Sequence, residues 1–260
     1  MSEDWRGHWP VGELQFHETA ASTNDIAAQM AANGAPHLSI AIADEQTHGR
    51  GRSGSTWQAP PKSSLLFSVV LRMPEQGTAP GCAPIRVGLA VARVVEDASS
   101  VRTRVKWPND VVIEEHGKVA GVLCEGSFTS SGGYIIAGIG INVTQGAADF
   151  GELQSQACSI KSASGATVDR AELLGGVFSA LRELGTSLTE PLTEPEIDEL
   201  NRRDILLGNE IEVQIGTEML RGRALGIKSN GALRLALNDG AIREVLNGTV
   251  RMATRQYPGT

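Results

Sequence analysis

The sequence is short of the features that mark disulfide-linked, zinc-binding, secreted or membrane-spanning proteins. Its three cysteines, Cys82, Cys124 and Cys158, are odd in number and far apart, which fits neither a disulfide framework nor zinc-ligand spacing. No stretch approaches the roughly 18 uninterrupted apolar residues that a transmembrane helix needs. The segment Met1–Trp5 is acidic and has no apolar run, so it does not resemble a secretory signal. These absences predict a protein of the reducing cytosol with no membrane partner.

An excess of basic residues is also missing. The 260 residues carry a formal net charge of −7, and the isoelectric point is about 5.3. That balance argues against a general affinity for nucleic acid, which favours a basic face, but it allows a local cationic pocket. Apolar residues make up 41% of the chain and no internal repeat is present. The sequence therefore predicts a sizeable core in one large domain, or in a large and a small one.

The spacing of apolar residues predicts strands and helices that do not alternate regularly. The first helix is expected to begin at the polar cap sequence Ser22-Thr23-Asn24-Asp25. Helices are predicted over 22–32, 84–98, 169–188 and 194–203, and strands over 14–17, 39–43, 65–71, 103–107, 110–113, 119–125 and 134–143, with a tight turn at His116-Gly117. This pattern favours an α+β domain with a mixed or antiparallel sheet and flanking helices.

The pattern of predicted secondary structure changes near Leu207-Gly208. From 210 to 253 only short alternating strands are predicted, with hairpin signals at Ser229-Asn230-Gly231 and Asn238-Asp239-Gly240. Such a run of short strands is typical of a small β-barrel. We therefore expect two domains, 1–205 and 206–260.

A loop rich in arginine and glycine, from Gln46 to Trp57, is the most informative segment. Gly49, Gly51 and Gly54 match the spacing of a dinucleotide-binding turn, but a buried strand over 65–71 follows and no helix opens there, which argues against that fold. Glycine permits close backbone approach and loop movement, and arginine suits phosphate and carboxylate oxygens. The segment is either a loop that folds over an anion carrying a flat ring, or a surface turn whose arginines contact only water.

Three further strings combine charge, amides and glycine. Lys106-Trp107-Pro108-Asn109-Asp110 sets polar groups at a fixed bend, or is simply a strand-ending turn with a core tryptophan. Lys118 lies at the mouth of a small and apolar strand, as a site cation or as a solvated hairpin end. Gly138-Ile139-Gly140-Ile141-Asn142 suggests close approach of a ligand to a strand, with Asn142 as a donor and acceptor.

These strings resemble the biotin protein ligase family. The segments that carry the resemblance occur in that family's order: Ser22-Thr23-Asn24, Gly49-Arg50-Gly51-Arg52 with Trp57, Lys106-Trp107-Pro108-Asn109-Asp110, Lys118-Val119-Ala120-Gly121 and Gly140-Ile141-Asn142. The resemblance covers roughly 14–254. It implies a class II synthetase-like catalytic domain of the biotin/lipoate ligase type, followed by a C-terminal SH3-like barrel.

The resemblance also implies the chemistry. The family uses ATP and Mg²⁺ to join biotin, through a bound biotinyl-5'-AMP, to a lysine of a biotin carboxyl carrier protein. Because a carboxylate must approach a phosphate, fixed cations are needed, and Lys118 and Arg52 are the expected catalytic residues. Glycines at 49, 51 and 54 would let the loop close over the adenylate and exclude water.

Binding roles follow from the same resemblance, residue by residue. Hydrogen bonds to the ureido ring of biotin are implied for Ser22, Thr23, Asn24 and Gln46. An apolar slot for the bicycle and tail is implied for Gly121, Leu123, Gly138 and Gly140. Further biotin contacts are implied for Arg50, Gly51, Arg52 and Lys118. ATP or adenylate contacts are implied for Arg52, Trp57 on the adenine side, Lys106, Asn109, Lys118 and Asn142. Asp110 is expected either to orient a lysine or to bind Mg²⁺.

The chain departs from the family at Ser55, where a further basic residue is common, so one phosphate contact is in doubt. About 13 residues precede the catalytic region, too few for a helix-turn-helix, so we expect the ligase-only type. A lipoate-type ligase, a biotin-responsive DNA-binding regulator and a member that binds without ligating are the alternatives. The C-terminal domain is expected either to help the reaction, by docking the carrier or closing over ATP, or only to stabilise the fold.

Overall fold

The computed structural model describes residues 3–73, 81–129, 132–185 and 187–253. The helices are α1 (Trp5–His8), α2 (Thr23–Ala32), α3 (Ala83–Ser99), α4 (Ile160–Ser164), α5 (Arg170–Leu184) and α6 (Glu194–Arg203). The strands are β1 (Leu14–Ala20), β2 (Ser39–Gln46), β3 (Ser64–Met73), β4 (Thr103–Lys106), β5 (Asp110–Ile113), β6 (Gly117–Thr129), β7 (Gly132–Asn142), β8 (Glu210–Ile215), β9 (Glu218–Ile227), β10 (Leu233–Leu237), β11 (Ile242–Val245) and β12 (Thr249–Met252).

The first seven strands form a large sheet in the order β1-β2-β3-β7-β6-β5-β4. Strands β1 and β2 run parallel, and the other neighbours run antiparallel. The predicted mixed sheet with flanking helices is therefore confirmed. Helix α2 covers one face, where its alanines and Met30 pack against Ala41, Val70 and Ile136. Helices α3 and α5 cover the other face.

The last five strands form a small antiparallel sheet in the order β11-β10-β9-β8-β12. Its hairpins at 229–231 and 238–240 lie where Asn-Gly and Asp-Gly signals predicted them, and a third turn at Gly216-Thr217 joins β8 to β9. The two sheets share one hydrophobic core. The indole N–H of Trp107 donates to Gly231 O at 2.9 Å, and Ile205 N–H donates to Val105 O at 3.0 Å.

The division into 1–205 and 206–260 stays a prediction, and 254–260 lie outside the described residues. Two local expectations were wrong. The helix predicted over 169–188 ends at Leu184, because Gly185 has a φ of +53°. The turn predicted at His116-Gly117 lies instead over 114–116, where Glu115 has a φ of +66°.

The three cysteines are free thiols, and burial raises the pKa of Cys124 and Cys158 to about 12. Within the described ranges no helix is long and apolar enough to span a membrane. A cytosolic location stays a prediction.

Arg86 organises the chain between α5 and α6. Its side chain is 2% exposed and donates to the carbonyls of Ser187, Glu190 and Pro191 and to both carboxylate oxygens of Glu196. A buried guanidinium needs such partners, because an unpaired buried charge is very costly. The hydrogen bond from Arg86 lowers the pKa of Glu196 to about 2 from its ordinary value of 4.5.

We predict that Glu196→Gln lowers the free energy of unfolding by about 2 kcal/mol at pH 7, the scale of a charge-assisted hydrogen bond. A carboxylate whose pKa is lowered by folding stabilises the fold above its unfolded pKa, and this contribution disappears as the pH falls from about 4.5 to 2. Urea unfolding at several pH values tests this. The difference between wild type and variant should shrink over that window, whereas the exposed neighbour Glu194→Gln should show little difference at any pH. A difference that does not change with pH would contradict the assignment.

Candidate active site

A cavity of about 720 Å³ lies between the large sheet and one side of the small sheet. Its walls are the start of α2, the loop 49–57, the β4–β5 turn, the middles of β6 and β7, and the segment 248–251. All twelve residues expected to contact biotin line it: Ser22, Thr23, Asn24, Gln46, Arg50, Gly51, Arg52, Lys118, Gly121, Leu123, Gly138 and Gly140. Of the residues expected at ATP, Arg52, Trp57, Lys106, Asn109 and Lys118 line it, as does Asp110.

One end of the cavity is a chain of short hydrogen bonds at the start of α2. Thr23 N–H donates to Gln46 Oε1 at 2.7 Å, and the Thr23 and Ser68 hydroxyls lie 2.7 Å apart. Ser68 Oγ donates to Asn24 Oδ1 at 2.6 Å, and Asn24 Nδ2 donates to Glu125 Oε2 at 2.6 Å. These groups are largely buried, and buried polar groups need partners. The side chains are therefore held in fixed orientations at the cavity wall.

Glycines open a slot beside this end. Gly138 pairs with Ser68 on β3 and with Leu123 on β6, and a Cβ at 138 would collide with Asn24 Oδ1. Gly140 pairs with Gly121, and a Cβ at 140 would lie 2.7 Å from the ring of Trp57. The tryptophan ring thus lies over the glycine slot, and its expected contact on the adenine side of the nucleotide stays a prediction. Its indole N–H is buried without a partner among the described residues.

Cations gather at the other end. Lys118 Nζ lies 2.6 Å from Asp110 Oδ1 and 5.5 Å from the centroid of the Trp57 ring. Burial lowers the pKa of Lys106; Asp110 opposes that shift, and Lys118 and Arg251 add to it. Burial likewise lowers the pKa of Arg52, again opposed by Asp110. A local cationic pocket therefore exists within an acidic protein.

The backbone of Lys118 is clamped by the segment 154–158. Lys118 N–H donates to Gln156 O at 2.8 Å, and Cys158 N–H donates to Lys118 O at 2.9 Å. Gly117, with a φ of +114°, permits this approach, since a Cβ there would lie 2.6 Å from Gln156 O. Lys118 is thus held at a fixed position in the cavity wall. It is not the solvated hairpin end that was the alternative.

The loop 49–57 is a small hairpin. Gly51 N–H donates to Ser55 O at 2.7 Å, and Trp57 N–H donates to Gly49 O at 2.9 Å. Its two arginines differ in their contacts. Arg50 pairs with Asp25 and Glu125, whereas Arg52 lies close to Asn109 Oδ1 and Gly248 O, at 3.5 and 3.4 Å. The loop therefore touches both the start of α2 and the small sheet.

Comparison with known proteins identifies the family. The chain matches the biotin/lipoate A/B protein ligase family over residues 16–142 and the biotin protein ligase C-terminal domain over 206–252. It is 31% identical over 252 residues to the bifunctional ligase/repressor BirA of Bacillus subtilis, covering 92% of this chain and 74% of that protein. It is 33% identical over 224 residues to the biotin–[acetyl-CoA-carboxylase] ligase of Paracoccus denitrificans, covering 82% and 90%.

The chain belongs to the biotin protein ligase family.

A solved structure agrees with this assignment. The biotin protein ligase of Aquifex aeolicus, in complex with biotin and ATP, superposes with a TM-score of 0.78 at 26% identity, covering 93% of this chain and 99% of that one. The predicted enzyme class is thereby confirmed: this chain is a ligase that attaches biotin to protein at the expense of ATP.

Asn142 is the expected site residue that the ligase does not place at the cavity. Its side chain is buried, with Nδ2 donating to Cys158 O at 3.0 Å and Oδ1 accepting from Gln145 Nε2 at 3.0 Å. It occupies the position after Gly140 on the same strand face, and there it is covered by the segment 144–158. Its amide therefore anchors that segment, and the expected nucleotide contact stays a prediction.

Asp110 was expected either to orient a lysine or to bind Mg²⁺. Its carboxylate is paired with Lys118 Nζ, which is the geometry of the first alternative. In the part of the chain that the structure describes, no group of three or more His, Cys, Asp and Glu side chains could hold a metal ion. A metal role for Asp110 stays a prediction.

Sequence reasoning missed Ser68, Glu125 and Arg251. Ser68 is the one polar residue in the apolar run 65–71, and a polar side chain inside a buried strand is itself a signal of a specific partner. Glu125 ends the strand predicted over 119–125, and Arg251 lies on β12; charged residues are ordinary at both positions. Only the folded arrangement brings these two to the site.

We predict that Gly138→Ala weakens biotin binding by about ten- to a hundredfold, because the added methyl displaces Asn24 from Ser68 and Glu125, two hydrogen bonds of about 1 kcal/mol each. Titration calorimetry with biotin measures the effect. The matched control is Gly88→Ala in α3, where a Cβ meets nothing within 4 Å. Wild-type affinity in Gly138→Ala would remove Asn24 from the biotin contacts.

Proposed function

We propose that the two ends of the cavity bind biotin and ATP side by side, join them as biotinyl-5'-AMP, and pass biotin to a lysine of a biotin carboxyl carrier protein. The observation that carries this proposal is the juxtaposition of the hydrogen-bonding end and the cationic end in one cavity of about 720 Å³. One end suits a neutral bicyclic ring and the other suits phosphates. The acyl chain of biotin would span the distance between them.

The hydrogen-bonding end matches the ureido ring of biotin. That ring presents a carbonyl acceptor and two N–H donors, and Ser22, Thr23, Asn24 and Gln46 offer hydroxyl and amide groups of both kinds. Their orientations are already set by Ser68 and by each other, so little ordering remains to be done on binding. The glycine slot, which the Trp57 ring contacts at Gly140 and Gly121, would take the apolar part of the bicycle and the tail once that ring moves aside.

In the first step a biotin carboxylate oxygen attacks the α-phosphorus of ATP. A new C(O)O–P bond forms, the bond from the α-phosphorus to the bridging oxygen breaks, and pyrophosphate leaves with the electron pair. Lys118 and Arg52 offset the repulsion between the two anions and the charge that develops on the phosphate. Asp110 holds the Lys118 ammonium toward the cavity at 2.6 Å. Lys106 and Asn109, from the same turn, would contact the nucleotide.

Mg²⁺ accompanies ATP in this family and would neutralise phosphate charge when bound. Asp110 is the only carboxylate among the described residues that line the cavity. One carboxylate is a sufficient protein contribution, because Mg²⁺ keeps several waters and takes its other ligands from phosphates. The residues present therefore fit the ion, with Asp110 as the residue that would hold it.

In the second step the amine of the carrier lysine attacks the acyl carbon of the adenylate. A carbon–nitrogen bond forms, the bond from the acyl carbon to the AMP oxygen breaks, and the amine loses its proton. The loop 49–57 would exclude water from the mixed anhydride between the two steps. Its hairpin hydrogen bonds and its contacts to Gly248 and Thr249 support a closed position over the cavity.

The small sheet would take part in the reaction as well as in stability. Gln214, Gly248, Thr249 and Arg251 line the cavity, and Arg251 is close enough to lower the pKa of Lys106. We therefore favour a role in closing over ATP, with domains 1–205 and 206–260 meeting at the site. The absence of nucleic-acid and membrane partners stays a prediction.

A transfer assay tests the proposal. With ATP, Mg²⁺ and a biotin carboxyl carrier domain, the chain should incorporate radiolabelled biotin and ignore lipoate. Lys118→Ala and Arg52→Ala should each slow pyrophosphate release by about 10²–10³, the loss expected for one preorganised electrostatic group. Lys62→Ala, at a side chain that is 72% exposed, is the control and should behave as wild type. Incorporation of lipoate in preference to biotin would show that lipoate is the substrate and would contradict the proposal.

The pKa of Lys106 generates a pH prediction. Burial holds it below the ordinary lysine value, so its positive charge is lost at a lower pH than that of a solvent-exposed lysine. If that charge binds phosphate, the KM for ATP should rise with pH on the alkaline side, before ordinary lysines titrate. Lys106→Arg keeps its charge throughout and should flatten the rise. Steady-state kinetics from pH 7 upward, with Lys62→Arg as control, measures this rise. If wild type, Lys106→Arg and Lys62→Arg show the same dependence of KM on pH, the charge of Lys106 does not bind phosphate.

A further inference from the structure

Glu125 stands between the hydrogen-bonding end of the cavity and the first arginine of the loop 49–57. It lies on β6 opposite Ile136, two residue pairs beyond Leu123 and Gly138, and therefore on the same face as Leu123. A single carboxylate oxygen, Oε2, accepts from Asn24 Nδ2 at 2.6 Å and from Arg50 Nη2 at 3.3 Å. One acceptor therefore joins a cavity side chain to a loop side chain.

Arg50 has a second attachment to the same region. It forms a bidentate pair with Asp25, with Nη1–Oδ2 and Nη2–Oδ1 distances of 2.9 and 2.8 Å. Asp25 follows Asn24 in the first turn of α2, where the helix dipole favours a carboxylate. The arginine is thus tied to two carboxylates, and each of them is directly connected to Asn24, one through the chain and one through a hydrogen bond.

These contacts give the two loop arginines different tasks. The guanidinium of Arg50 is engaged by protein carboxylates, whereas that of Arg52 lies in the cavity with only long contacts, at 3.4 and 3.5 Å. Arg50 therefore acts on the position of the loop, and Arg52 is the one available to a phosphate. A direct contact of Arg50 with biotin stays a prediction.

How strongly the ion pairs of Arg50 hold the loop 49–57 depends on what other contacts the loop makes. The side chains of Arg50, Asp25 and Glu125 are 40%, 58% and 48% exposed, and such pairs add little to the stability of a whole fold. The loop itself, however, has almost no buried side chains between 50 and 57. A segment with so few buried side chains opens easily, so even weak ion pairs from Arg50 contribute a large part of the free energy that keeps the loop closed.

We propose that Glu125 is a positioning residue that couples Asn24, at the biotin end, to the closed state of the loop 49–57 through Arg50. Biotin that binds Asn24 keeps this chain of contacts in place, and it thereby favours the loop position that shelters the acyl-adenylate. This inference rests on the proposed function.

The experiment compares formation of the adenylate with its retention. Wild type, Glu125→Gln and Glu125→Asp are mixed with radiolabelled biotin, ATP and Mg²⁺ without a carrier, and the burst of pyrophosphate reports the first step. An excess of unlabelled biotin is then added, and the label remaining on the protein is followed with time. Glu45→Gln, at a half-exposed glutamate on β2 whose carboxylate contacts only Thr19 at a long 3.5 Å among the hydrogen bonds of the described residues, is the matched control.

Glu125→Gln should lose adenylate about fivefold faster than wild type and Glu45→Gln, a change larger than any fall in its burst rate at saturating biotin, and its melting temperature should equal that of Glu45→Gln. Glu125→Asp should also lose it faster, because the shorter side chain keeps the charge but cannot reach both partners. In an Arg50→Met background, Glu125→Gln should add nothing further, since the shared contact is already gone.

Retention equal to wild type in both Glu125 variants, or full additivity with Arg50→Met, overturns the coupling while leaving the proposed function intact. A lower melting temperature accompanied by an equal fall in burst rate and retention would make Glu125 merely structural and also overturns it. A wild-type chain that releases no pyrophosphate overturns the proposed function itself, and the inference with it.

Discussion

The catalytic region depends on holding several cations close together inside a protein whose net charge is −7. Arg52, Lys106, Lys118 and Arg251 surround one cavity, and Asp110 is the only carboxylate among its described lining residues. Burial and mutual repulsion make this arrangement unfavourable by itself, which is why the pKa of Lys106 is lowered. The site is therefore complementary to two anions, the pair that the first step must bring together.

The same constraint explains how the two sheets meet. The turn from Lys106 to Asp110 serves both: Trp107 donates to the small sheet at Gly231, while its charged and amide neighbours line the cavity. The small sheet also contributes Arg251 to the lining of the cavity. Because one core runs beneath both sheets, Lys106, Lys118 and Arg251 are held by the packing of strands, whereas Arg52 is carried by the loop 49–57.

Prediction from sequence succeeded where a local pattern has one physical meaning. Apolar spacing located the helices and strands, Asn-Gly and Asp-Gly located two hairpins, and the order of the motif strings indicated the family. It was incomplete where the meaning depends on what lies across the fold. The amide of Asn142 has the chemistry of a ligand contact, and in the structure it also binds the covering segment 144–158. Glu125 looks like any strand-ending glutamate until Asn24 and Arg50 are placed against it.

The sequence by itself determined the fold class, because backbone preferences and apolar periodicity are local and act along the chain. The resemblance of its motif strings indicated the biotin ligase family, and all but one of the site residues that it implied line the cavity. Only the tertiary structure decided which arginine of the loop points inward, that Lys118 is clamped through Gln156 and Cys158, and that the small sheet contributes Arg251. Charge and hydrogen-bond energies depend on distance and burial, and both are set by contacts between residues far apart in the sequence.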